Sequence, residues 1–175
     1  MSAHPLIAPS HPRQHREIAM SRLIIEDTAR DKSVALLAVT LVDLIDLERR
    51  LKSAHWNVRG PRFIALHELF DRVAGEVRDA GDDVAERIVI LGGFADGSVR
   101  TAASLSMLSR VDDSPGWDEA EWVSHVAEVI AEAGGRARRA IEEAAAAGDA
   151  DTADLLTGLL RDLDKQLWLI EANLG

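Results

Sequence analysis

Five side chains between residues 55 and 87 could hold a metal ion: His55, His67, Asp71, Asp82 and Glu86. Two imidazoles and three carboxylates make a mixed nitrogen and oxygen donor set, which suits iron, zinc or manganese. His67 and Asp71 are four residues apart, as are Asp82 and Glu86, so each pair shares one face of a helix. Eleven residues separate Asp71 from Asp82. At ~100° per residue that step ends ~20° past three full turns, so both pairs face the same way. The same step rises ~16.5 Å along the helix, whereas metal–ligand bonds are about 2.0–2.6 Å long. One straight helix therefore cannot bring both pairs to one metal.

A two-fold axis removes the conflict. Placed near Glu76 and Val77, it sets an antiparallel partner's Asp82 and Glu86 beside this chain's His67 and Asp71. Ala74, Gly75, Ala80 and Gly81 flank that crossing. A mid-helix glycine costs about 1 kcal/mol against alanine, so two of them imply close packing. The competing reading is a solvated acidic face with a stray histidine. His55 weighs against it, because it ends the preceding helix and lies across a short turn from the start of the second.

The elements that must position these groups follow from periodicity. Leu36, Leu37, Val39, Leu41, Leu44, Ile45 and Leu47 predict a helix from about residue 28 to 57, which "NVRGP" breaks. A second helix starts near Pro61 and stops at Gly92 and Gly93. Residues 94–116 form a long connection, with "SVRTAASLSML" as a short helix inside it. A third helix begins near residues 114–118 and ends around Gly148. Asp149 or Asp151 caps a fourth, ending near Leu174. Short turns give antiparallel neighbours, and one long crossover is the topology of ferritin-like bundles. The expectation is an all-α, ferritin-like four-helix bundle over residues 28–175. Pro5, Pro9 and Pro12 predict a mobile N-terminal tail over residues 1–27.

The chain has 175 residues, no Cys and a formal net charge of −10. There is no disulfide framework and no thiolate metal site. Neither a membrane span nor a secretory signal is legible, so a cytoplasmic location is expected. An acidic body repels nucleic acid, so DNA binding would need a local basic element.

The quoted residues resemble a known family. "HWNVRGPRFIALHELFD" (residues 55–71) looks like the first signature of the Dps family, the DNA-binding proteins from starved cells. "DDVAERIVILGGFA" (residues 82–95) looks like the second, and "DTADLLTGLLRDLDKQLWLIEANL" is similar to the family's last helix. The likeness covers about residues 28–174. Gly81 departs from it, standing where the family usually carries an apolar residue.

The resemblance implies a hollow homo-dodecamer of tetrahedral symmetry, built on two-fold dimers. His55, His67 and Asp71 of one subunit, with the partner subunit's Asp82 and Glu86, would form a ferroxidase site. The reaction implied is oxidation of Fe(II), preferably by hydrogen peroxide, followed by storage of ferric mineral. Zinc or manganese could substitute at the same donors. Trp56 would give up an electron when oxidant exceeds iron; plain packing at an interface is the alternative.

The resemblance also places the start of the fourth helix at three-fold pores, with Asp154 and Asp162 as candidates for iron entry. Asp149 and Asp151 read more simply as helix capping. The tail holds His4, His11 and His15, and its cationic residues Arg13, Arg16 and Arg22 are the candidates for DNA contact. It has no Lys, so a primarily DNA-compacting, nucleoid-associated protein with an incidental metal site is the second reading.

Overall fold

The computed structural model describes residues 22–109 and 116–174. The four periodic stretches become four long helices: α1 (Asp27–Asn57), α2 (Phe63–Ile90), α4 (Glu119–Ala147) and α5 (Ala150–Glu171). One short helix, α3 (Val99–Leu105), lies in the crossover between α2 and α4. The described residues contain no strand, and the expected all-α bundle is what forms. His4, His11, His15, Arg13 and Arg16 lie outside the described residues; Arg22 lies within them and is exposed.

The core follows the apolar periodicity. α1 contributes Leu37, Leu41, Leu44, Leu47 and Leu51, and α2 contributes Leu66, Phe70, Val73, Val77, Val84 and Ile88. Trp122, Val126, Ile130 and Ala137 of α4 meet Leu156, Leu160, Leu163 and Ile170 of α5. Burial of each Leu, Phe or Ile contributes about 1.5–3 kcal/mol. α1 packs on α2 and α4, and α5 packs on α4 and α2. Side-chain ties fix the directions. Asp43 meets Arg136 and Lys32 meets Glu143, so α1 and α4 are antiparallel. Arg87 meets Asp149 while Glu76 meets Gln166, so α2 and α5 are antiparallel too. α2 and α4 therefore run parallel, as one long crossover requires.

Four of the helix ends have a local cause. Gly92 takes a positive φ of 84° after α2, while Gly93 N–H donates to Ile88 O at 2.8 Å and Gly92 N–H to Val89 O at 2.9 Å, a Schellman pair. Gly148 ends α4 the same way, with φ 89°. Asp118 and Glu121 form a capping box at the start of α4. Asp149 caps α5, accepting Thr152 N–H at 3.0 Å, which decides between the two candidates.

The start of α2 differs from expectation. Pro61 precedes the helix instead of opening it: residues 60–63 close a turn (Phe63 N–H to Gly60 O, 3.1 Å) and α2 begins at Phe63. The crossover is pinned to α1 and α4 through buried Asp43. It accepts Met107 N–H at 2.9 Å, Ser106 O–H at 3.2 Å and Arg136 Nε–H at 2.6 Å.

Candidate metal centre

The turn between α1 and α2 brings His55 and His67 face to face. Their rings stack with centroids 3.8 Å apart and planes 23° from parallel. Each Nδ1 lies 2.8 Å from the other residue's backbone carbonyl oxygen. A carbonyl only accepts, so both Nδ1 atoms carry the proton. In the neutral ring this leaves the Nε2 lone pair free on both residues, the form a metal-binding histidine needs. Phe63, one turn before His67, packs against its ring at 5.1 Å.

Asp71 lies one turn beyond His67, exposed, and is held by Lys52 Nζ at 2.5 Å. The hydrogen bond from Lys52 keeps the Asp71 carboxyl below the ordinary aspartate range, against a smaller opposing effect of desolvation. The charges of Lys52, His55 and His67 act in the same direction as that bond. The sequence reading missed Lys52. It sits three residues before His55, on the same face of α1, and that spacing was the available signal.

Asp82 and Glu86 are exposed on the far half of α2. Among the described residues, no group of three or more His, Asp or Glu is gathered closely enough within one chain to hold a metal ion. Beside Asp82 lies an open groove of about 480 Å³ between α1 and α2, lined by Leu44, Ile45 and Glu48 of α1 and by Val77, Arg78, Asp79, Gly81, Asp82 and Ala85 of α2.

Arg87, next to Glu86, turns the other way and is buried. Its Nη2 donates to Asp149 Oδ1 at 2.8 Å and its Nε to Thr152 Oγ1 at 3.0 Å. Burial pushes the Asp149 carboxyl up, but the hydrogen bonds from Thr152 and the Arg87 charge outweigh it and hold the group below its usual range. This tie also escaped the sequence reading, because its partners are 62 residues apart.

The other candidates are dispersed. Trp56 is 57% exposed, and Lys52 Nζ stands 5.8 Å from its ring centroid. Asp154 and Asp162 are both exposed on α5. Asp162 borders a second groove, of about 360 Å³, with Glu76, Asp79, Asp83 and Lys165. Asp164, also on α5, pairs with Arg138 of α4 within the chain, at 3.4 Å.

A four-helix bundle with one long crossover is the topology of the ferritin-like class, and residues 34–175 match the ferritin-like domain family. Within that class the chain belongs to the Dps family. It is 37% identical over 149 residues to the DNA protection during starvation protein of Agrobacterium fabrum, covering 85% of this chain and 91% of that one. The protein of the same name from Brevibacillus brevis is 34% identical, covering 79% and 92%. Among solved structures, DpsA14 from Streptomyces coelicolor superposes with a TM-score of 0.81 at 37% identity, covering 90% of this chain and 92% of that one. Dps from Mycobacterium smegmatis gives 0.84 at 27% identity, covering 90% and 95%.

Proposed function

We propose that the protein is an iron-sequestering mini-ferritin that oxidises Fe(II), preferentially with hydrogen peroxide, and stores the ferric product. The observation that carries this reading is the division of the donor set. His55, His67 and Asp71 stand together at one end of the α1–α2 face. Asp82 and Glu86 stand on the other half of α2, where a groove between α1 and α2 opens beside Asp82. A second copy, antiparallel across that groove, completes two sites at once. Six such dimers make the dodecamer of tetrahedral symmetry proposed for the assembly.

The donor chemistry supports iron as the substrate. Neutral imidazoles hold Fe(II), and carboxylates favour the harder Fe(III), so oxidation is eased. Few protein ligands per iron leave positions open to peroxide. Two Fe(II) give one electron each to the O–O bond of one peroxide, so both Fenton reagents are consumed without release of hydroxyl radical. Protection of DNA, in the sense of the relatives' names, follows from that chemistry. Asp154 and Asp162 are proposed to draw cations inward, and Trp56 to donate an electron when peroxide exceeds iron.

The test is anaerobic addition of Fe(II) and then peroxide to the purified protein. Fast ferric absorbance is expected, and it is lost in the Asp82→Ala, Glu86→Ala double variant. Unchanged kinetics in that variant would refute the reading.

Direct DNA contact is a second proposal, resting on Arg13, Arg16 and Arg22 and on repetition of the tail over one shell. A DNA mobility shift is expected to strengthen from pH 8 to pH 6 and to vanish on deleting residues 1–22. A shift that survives the deletion rules out the tail as its cause.

A further inference from the structure

The turn that joins His55 to His67 is held from outside by a residue of α4. The α2 N-cap, Arg62, makes no side-chain cap of its own. Glu119 supplies one instead: its Oε1 accepts Arg62 N–H at 2.8 Å, and its Oε2 accepts Arg62 Nε–H at 2.7 Å. α4 does not use this carboxylate for its own start, because Asp118 and Glu121 already cap it. The Glu119 side chain is only 12% exposed, so water does little to weaken the bond. Gly60 packs against the same group: a Cβ there would fall 2.7 Å from Glu119 Oε1, and its φ of 152° is one that L side chains rarely adopt. Arg62 Nη1 then reaches Asn173 O beyond α5. A carboxylate at a helix N-terminus is favourable both as an acceptor for an orphan N–H and through the helix dipole.

We propose that Glu119 is a positioning residue for the imidazole pair, fixing the path of the turn so that each Nδ1 meets the other residue's carbonyl. The inference rests on the metal reading above. The two crossed bonds demand one backbone separation between residue 55 and residue 67. Only five residues, 58–62, connect the helices that carry them, and Glu119 grips the last of these while Gly60 leaves it room. A turn released from Glu119 lets the two carbonyls shift, the Nδ1–H preference weakens, and the Nε2 lone pairs are no longer presented together.

The experiment is solid-state NMR of the metal-free protein labelled with [15N]histidine, assigned with His55→Gln and His67→Gln, together with calorimetric titration by zinc alone. Glu119→Ala is expected to give mixed ring tautomers at both positions and zinc binding about 10–100-fold weaker, as for loss of other groups that orient metal ligands. Glu119→Gln, whose amide oxygen still accepts Arg62 N–H, is expected to keep the wild-type tautomers. If the alanine variant does not fold, Glu119→Asp decides. It keeps the charge but withdraws the oxygens by one methylene, and mixed tautomers are again expected. Pure Nδ1–H rings and unchanged zinc affinity in a folded Ala or Asp variant would overturn the proposal. If zinc binding in the parent protein is indifferent to His67→Ala, the metal reading falls, and the metal-free tautomers still decide the role of Glu119.

Discussion

His55 and His67 hold each other through the same bond made twice: each Nδ1 lies 2.8 Å from the other residue's carbonyl oxygen, and the rings stack 3.8 Å apart. Neither ring is positioned alone, so their contributions to cation binding are coupled. Zinc titration of His55→Ala, His67→Ala and the double variant should show this. The double variant should lose less than the two single losses added together, by about 0.5–3 kcal/mol, the range for residues in contact. Strict additivity would mean that the rings act independently.

Lys52 pairs with Asp71, so on the proposed metal reading it competes with the cation for that carboxylate. Replacing it by Gln should tighten cation binding about 2–5-fold, in line with the modest strength of exposed ion pairs. The same change should raise the Asp71 carboxyl back toward the ordinary range. The sign is fixed by its present depression: the pair's contribution to stability is full above the ordinary aspartate pKa and fades as pH falls through the lowered one. A carboxyl-resolved NMR titration of Lys52→Gln checks the direction. An unmoved Asp71 would mean that Lys52 does not govern it.

Within one chain nothing demands glycine at position 81, because an added Cβ would only touch Leu44 Cβ at 4.0 Å. Gly81→Ala should therefore stabilise the subunit by up to about 1 kcal/mol. Gly81→Arg should leave the subunit helical but hinder an antiparallel partner by bulk and charge, giving smaller species in analytical ultracentrifugation. Wild-type assembly by the arginine variant would move the two-fold contact elsewhere.

Asp149→Ala removes both the α5 cap and the partner of buried Arg87. The expected loss is about 3–5 kcal/mol, the usual penalty for stranding one buried charge. Asp149 is depressed in the folded protein, so its contribution is present above the ordinary aspartate pKa and is lost as pH falls through the folded value. Denaturant midpoints of parent and variant should therefore converge below about pH 4. A gap that stays constant into that range would contradict the assignment.

The bundle was legible because local signals mark its elements: apolar spacing along α1, Gly92 after α2, Gly148 after α4. It also showed that the two ligand pairs cannot meet along one helix. The start of α2 was misplaced by two residues because its cap comes from Glu119, 57 positions away. The mutual grip of the two histidines and the Arg87–Asp149 tie were illegible for the same reason. Each depends on how closely two helices approach, which no spacing along one helix encodes.

Glu86 and Arg87 are adjacent in the chain yet point into different surroundings, the first into solvent and the second into the seam between α2 and α5. The final turns of α2 and the opening turn of α5 are thereby expected to open as one unit in local unfolding. Their amides should exchange with deuterium at a common rate, even though 59 residues separate the two helices along the chain. A fluctuation that frays the beginning of α5 is expected to release Arg87 as well, one residue from Glu86. On the proposed metal reading, the order of the acidic pair then depends on a helix that contributes none of the five proposed ligands.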